Sequence, residues 1–288
     1  MILVIGSTGM LGSSYVRHLS LNNIPYHTIS RNIGSSYCID LLHSFAEIEK
    51  LIIDNKYSAV INCAAIVSLD YCERFPSLAM RVNSDLVLCL ASICEKVGSI
   101  LMHISTDHFF SGDGNYLHPE DHPIVINNNY AYSKHLGELN ALKFPNTIVL
   151  RTNVTGYRNG SSSTFIEWLL FSLMNNEPII LFDDFFTSTI DADCFVHNSL
   201  LLLECEFRGL LNLSSNQCIS KYEFGLELSN FLNLDFTNVS IGSVVKLLPR
   251  RSNSLGLDCS FIESILKKNM PDTIDVLKSL TFSNISPD

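Results

Sequence analysis

Tyr130 and Lys134 stand four residues apart in the stretch NNYAYSKHLGE, residues 128–138. On a helix that spacing puts the two side chains on one face, whereas Tyr132, two residues from the lysine, points elsewhere. A phenol held beside an ammonium makes a usable acid from a group whose pKa is normally about 10. The ordinary alternative is a half-buried tyrosine with a solvated lysine, and the spacing alone does not separate the two.

Further candidates lie upstream. GSTGMLG places Gly6, Gly9 and Gly12 directly after an apolar run and at the start of a helical pattern. Glycine there permits a tight turn and lets the backbone approach a pyrophosphate at a helix N-terminus. Nucleotide binding is therefore expected at this loop, with Thr8, Met10 and Leu11 between the glycines. After the second strand-like run comes Ser-Arg-Asn, so Arg31 stands where an acid would hold the ribose of NAD. A guanidinium suits a 2′-phosphate, which favours NADPH over NADH. Asp40, followed by Leu41, is placed to contact adenine or to cap the next helix. Cys63, Ala64 and Ala65 are small enough to let a cofactor pass over a strand end, or to pack tightly. Asn83 interrupts a helical stretch, where asparagine needs a hydrogen-bonding reason. Ser105, Thr106 and Asp107 follow another apolar run, with His108 next to them. With no paired Cys or His at ligand spacing, no metal site is expected.

These residues require a scaffold that brings strand ends together. Runs at 1–5, 26–30, 58–62, 99–105 and 147–152 read as buried parallel strands, and 10–21, 43–54, 76–97 and 130–142 as amphipathic helices. The alternation predicts an α/β doubly wound parallel sheet of Rossmann type. Helices near 164–175, 191–206 and 220–232 follow, with strands at 178–182 and 209–214, then loops and a short helix over 240–270. We expect a cofactor-binding domain over 1–155 and a smaller C-terminal substrate lobe over 156–288, its pieces interleaved.

At 288 residues, 47% hydrophobic and 17% charged, the chain is long and apolar enough for a sizeable core. A net charge of −10 argues against nucleic acid as a partner. No apolar run approaching about 18 residues is read as a membrane span. The opening MILVIGSTG carries no leader pattern. Nine cysteines without a Cys-x-x-Cys pair suit free thiols in a reducing cytoplasm.

Taken in order, GSTGMLG, the Arg31 region with Asp40, NCAAIVSLDYCE, STDHFFSG and Tyr130-Ala-Tyr-Ser-Lys134 resemble the extended short-chain dehydrogenases/reductases. Among these the chain most resembles the dTDP-4-dehydrorhamnose reductase group. The resemblance implies a homodimeric reductase taking a nucleotide-linked 4-keto-6-deoxy sugar to its alcohol with NADPH, NADH being the lesser choice. Tyr130 would then be the general acid, Lys134 the group that holds the nicotinamide ribose, and Thr106 a hydrogen-bond partner of the reacting oxygen. Asp107, Asn153 and Arg251 fall at substrate-facing positions. There the chain departs from the group: His108 replaces a Tyr after Ser-Thr-Asp, and Arg151-Thr-Asn-Val154 replaces Arg-Thr-Ser-Trp. Ser188-Thr189 replaces Pro-Thr, and Arg-Pro-x-x-Ser is only loosely matched by Arg251-Ser-Asn-Ser254. The Asn-Val-x-Gly of 153–156 is similar to a loop of nucleotide-sugar epimerases. An epimerase or dehydratase is one alternative. A non-catalytic NADP-binding protein is another, because the regulatory subunit of methionine adenosyltransferase resembles the same family.

Overall fold

The computed structural model describes residues 1–158 and 163–285, with side chains described to residue 281. In chain order the first elements are β1 (Ile2–Ile5), α1 (Met10–Leu21), β2 (Tyr26–Ser30), β3 (Tyr37–Cys38), α2 (Phe45–Asn55) and β4 (Ala59–Asn62). Then come α3 (Leu69–Arg74), α4 (Pro76–Met80), α5 (Leu86–Val97), β5 (Ile100–Ile104), β6 (Leu117–His118), α6 (Asn129–Ala141), β7 (Thr147–Arg151) and β8 (Val154–Thr155). The later part runs α7 (Phe165–Met174), β9 (Ile179–Phe182), β10 (Phe186–Thr187), β11 (Ile190–Asp191), α8 (Ala192–Glu204), β12 (Gly209–Asn212) and β13 (Ile219–Ser220). It closes with α9 (Lys221–Leu232), β14 (Val239–Gly242), β15 (Ser254–Leu257), α10 (Ser260–Leu266) and α11 (Thr273–Ile285).

The chain forms two compact units, each drawing segments from both sides of residue 155. The first contains Met1–Thr106, Ile126–Arg151 and Val196–Leu211; the second contains Asp107–Val125, Thr152–Phe195 and Asn212–Asp288.

Short Ile- and Val-rich strands buried on both faces build the central sheet of the first unit, in the order β12-β7-β5-β4-β1-β2-β3. β1 pairs in parallel with β2 on one side and β4 on the other, Ile5 lying beside Ile29 and Asn62. The strand order reverses at β1, and in open α/β sheets ligands bind beyond the strand ends at such a point. Leu3, Ile5, Ile29, Val60 and Leu101 from the sheet pack with Ile48 and Ile52 of α2 and Leu86 and Leu90 of α5. Each such side chain, fully buried, contributes about 1.5–3 kcal/mol.

The helix expected over 76–97 is present, with one irregular turn inside it. Between α4 and α5, Arg81–Asp85 forms a π-helical turn, the kind of local insertion that re-aims side chains near a site. Taken end to end, Pro76–Val97 is, among the described residues, the one helical stretch long and apolar enough to cross a membrane. The stretch packs in the first unit, with Leu86, Val87, Leu90, Ala91, Ile93 and Cys94 of α5 buried.

In the second unit, Ile166, Leu169, Leu173, Phe224, Leu228, Val276 and Leu277 from α7, α9 and α11 close over Ile179 and Leu181 of β9. Thr164–Glu167 and Ser220–Glu223 form capping boxes that start α7 and α9. A four-stranded sheet runs β13-β10-β15-β6, with β15 parallel to both β10 and β6. β14, β15 and α11 were not anticipated over 240–285. The two strands are four residues long and pair with distant segments, so no local alternation announces them.

Candidate active site

The glycine loop is held by close backbone approaches. Gly6 has φ +80°, and a Cβ there would lie 2.9 Å from Ala64 Cα. A Cβ on Gly12 would lie 2.2 Å from the Gly6 carbonyl oxygen. The loop therefore rests on the backbone of Cys63 and Ala64. Gly9 is the N-cap of α1 and supplies no side-chain cap, so the first-turn N–H groups can hold an anion. Thr8 is exposed, and Met10, Leu11 and Ala65 are half-buried.

Arg31 is exposed one residue past β2, in position to hold a phosphate. Asp40 does not cap α2, whose N-cap is Ser44; its Oδ1 accepts from Leu42 N–H at 2.9 Å and shapes the preceding turn. Leu41 packs against the core. Asn83, fully buried in the π-helical turn, accepts from Ile66 N–H at 2.8 Å and donates to the Ile66 carbonyl at 2.9 Å. Its Nδ2 also donates to Ser133 Oγ at 3.0 Å, tying the segment after β4 to α6. This work explains an asparagine inside a helical pattern.

α6 begins with Asn128 accepting from Ala131 N–H, a side-chain cap that orients the helix. Tyr130 is 8% exposed and packs with Cys72, Ala79, Ile66 and Leu69, while Tyr132 is 47% exposed. Lys134 is 1% exposed, and its Nζ donates to the Ile104 carbonyl at 2.6 Å. Burial pushes Lys134 down to about 8, against opposing pulls from Glu138 and Cys63. The next residues continue the pattern: Ser105 Oγ donates to Glu138 Oε1 at 2.5 Å, and Thr106 is 4% exposed at the edge of the sheet. Arg151 Nη2 donates to Glu138 Oε2 at 2.9 Å. Burial alone would push Glu138 up, but His135, whose Nδ1 lies 3.8 Å away, the Arg151 charge and hydrogen bonds from Arg151 and Ser105 hold its carboxyl below the usual range.

Glu138 and Arg151 escaped the sequence reading. The signal was present in that Glu138 stands four residues beyond Lys134 on the same helix face.

A second polar chain runs through the second unit. Asn153 Nδ2 donates to Asp107 Oδ2 at 2.6 Å, and Thr189 Oγ1 donates to Asn153 Oδ1 at 3.0 Å. Lys221 Nζ donates to Thr189 Oγ1 at 3.3 Å and lies 4.7 Å from the Phe165 ring centroid. Burial raises Asp107, opposed by His108, the Asn153 bond and Lys221, and burial lowers Lys221 to about 8. His108, lowered by burial against the pull of Asp107, is held toward neutrality. Thr189 was marked in the sequence only as part of the Ser188-Thr189 departure, and Lys221 had no sequence signal, since only the fold sets them beside Asn153.

Arg251 lines a cavity of about 390 Å³ with Arg250, Leu248, Ser111 and Asn253. Its Nε is buried and makes no hydrogen bond among the described residues. Thus Tyr130, Lys134 and Thr106 fall in one unit; Asp107 and Asn153 meet in the other, where Arg251 faces its own cavity.

Comparison with known proteins places the chain in a family. The family model described as RmlD substrate binding domain matches residues 1–278. A probable low-salt glycan biosynthesis reductase, Agl14, of Haloferax volcanii is 29% identical, with 98% of each chain covered. Methionine adenosyltransferase 2 subunit beta of Bos taurus is 25% identical, covering 97% of this chain and 86% of its own. Among solved structures, dTDP-4-dehydrorhamnose reductase of Bacillus anthracis in complex with NADP superposes with a TM-score of 0.87 at 20% identity, covering 98% of each chain.

Proposed function

The chain belongs to the RmlD substrate binding domain family, and from that premise we propose that it is an NADPH-dependent reductase of a nucleotide-linked 4-keto-6-deoxy sugar. The observation that carries this is the Tyr130–Lys134 pair, with its buried lysine tied to the carbonyl two residues before Thr106. NADPH would supply the hydride for this reduction. The N–H groups opening α1 would hold its pyrophosphate, Arg31 its 2′-phosphate and Lys134 its nicotinamide ribose. Tyr130 gives its phenolic proton to the carbonyl oxygen, and Thr106 donates a hydrogen bond to that oxygen as charge develops. The remaining cofactor contacts are assigned to Thr8, Met10, Leu11, Asp40, Leu41, Cys63, Ala64 and Ala65; Asn83, fully buried and bonded to Ile66 and Ser133, supports the segment after β4 instead.

Asp107, Asn153 and Arg251 are assigned to the substrate. The similarity to Agl14 and to the reductase of Bacillus anthracis, each named as a reductase, supports this reading. A homodimer in the cytoplasm accompanies it, and the nine free thiols suit a reducing compartment. The test is NADPH absorbance during incubation with dTDP-, UDP-, GDP- and CDP-linked 4-keto-6-deoxy sugars. Substrate-dependent oxidation establishes the reductase and identifies the nucleotide.

A second reading has its own support in the similarity, over 97% of this chain, to a methionine adenosyltransferase subunit. NADPH binding without consumption by any keto-sugar, together with co-purification of a synthetase, would favour it. Binding without net NADPH oxidation but with interconversion of sugar epimers would favour an epimerase.

A further inference from the structure

Asp113, His118 and His122 lie outside the residues assigned above, and one ligand atom from each falls within 4.8 Å of the others. His118, on β6, is fully buried. Its ring stacks on Phe110, with centroids 4.2 Å apart and planes at 5°, and meets the edge of Tyr116 at 5.1 Å. His118 Nδ1 sits 2.7 Å from the Gly256 carbonyl oxygen. A carbonyl only accepts, so Nδ1 carries the proton, and a neutral ring must present its lone pair at Nε2. That lone pair faces Asp113 Oδ2 at 3.2 Å. Two acceptors in contact require either an added proton or a cation between them.

The geometry accommodates a cation. Ligands about 2.0–2.1 Å from a tetrahedral zinc stand about 3.3 Å from each other. His118 Nε2 and Asp113 Oδ2, 3.2 Å apart, match that separation, and a His122 nitrogen within 4.8 Å of both has to close in on the ion. The backbone carbonyl behind His118 fixes the tautomer as outer partners of metal-bound histidines do. His122 brings a second imidazole, its ring centroid 4.6 Å from that of His118. Asp113 is exposed and His122 half-buried, so an ion can enter and retain a water as fourth ligand.

We propose that Asp113, His118 and His122 bind a divalent transition-metal ion, with zinc the fitting choice for two imidazoles and a carboxylate. The ion joins the turn at Asp113 and the turn at His122, where His122 N–H donates to the Pro119 carbonyl, to a histidine anchored on β15. It is a structural site within the second unit, separate from the proton-transfer residues.

The experiment titrates tag-free, chelator-treated full-length protein with Zn²⁺ and with Co²⁺, comparing wild type with Asp113→Asn/His122→Gln. The expected result is one zinc per chain, with affinity falling about tenfold or more in the double variant. A cobalt spectrum with ligand-field bands and no thiolate charge transfer separates this site from the nine cysteines. NADPH binding retained by the variant shows that it is folded. Equal zinc affinity in wild type and variant would overturn the proposal, as would absence of binding below millimolar zinc, which would leave a shared proton between His118 and Asp113.

Discussion

At Tyr130 a single oxygen separates a general acid from an inert ring. The ring is already packed among Cys72, Ala79, Ile66 and Leu69, so Tyr130→Phe leaves the fold and NADPH affinity close to wild type. Turnover should fall about 10²–10⁴-fold. Cofactor fluorescence titration beside steady-state rates checks this, and wild-type turnover would remove the assignment. Lys134 adds a pH dependence. Its proton is lost from the folded protein near pH 8, because burial disfavours the ammonium. On the proposed role, in which the ammonium holds the ribose, kcat/KM should decline above about pH 8. Lys221 titrates in the same range, so the alkaline limb should persist in Lys221→Met if it belongs to Lys134. Stability moves the other way. Between about pH 8 and the ordinary lysine value near 10.4, the unfolded chain keeps a proton at position 134 that the folded one has released. Wild type should therefore gain stability relative to Lys134→Met across that window, as read from urea midpoints.

At the scale of elements, α6 is positioned by contacts that tolerate no extra volume. A Cβ at Gly137 would lie 2.2 Å from the Asn83 carbonyl oxygen, in the π-helical turn. That clash is with backbone, so one of the two elements must shift. Gly137→Ala should cost about 1–3 kcal/mol of stability, the usual penalty of overpacking. Because the same helix carries Tyr130 and Lys134, kcat should fall as well. Thermal denaturation and rate measurements on one preparation test this, and an unchanged midpoint would show that α6 and the turn are not in the contact described. Much of this element was legible in sequence: the helix over 130–142 and the i,i+4 spacing are local features. The π-helical turn was not legible, because its reason is Asn83 reaching across to Ile66 and Ser133.

For the whole molecule, cofactor binding is linked to stability. Any ligand that binds only the folded state stabilises it by RT ln(1 + [L]/Kd), about 2.7 kcal/mol at one hundred times Kd. NADPH should raise the melting temperature accordingly, and more than NADH at equal concentration, since Arg31 follows β2 where the 2′-phosphate is assigned. Calorimetry with the two cofactors measures the difference. No shift with either at millimolar concentration would count against the glycine loop as a dinucleotide site.

The sequence by itself determined what rests on neighbouring residues. Runs of buried Ile and Val became β1, β2, β4, β5 and β7, the three glycines became the loop before α1, and the Tyr–Lys pair landed on one helix face. Each is set by backbone sterics or by a period of two or 3.6, which a reader can count along the chain. Only the tertiary structure decided which distant polar groups meet. Lys221, Thr189, Asn153 and Asp107 come from four separate segments, and His118 owes its orientation to a carbonyl on β15. Such contacts follow from strands of two to four residues pairing across long separations, as β15 does with β6 and β10. They leave no periodic trace, because the pairing is paid for by burial of the assembled unit and not by any local preference.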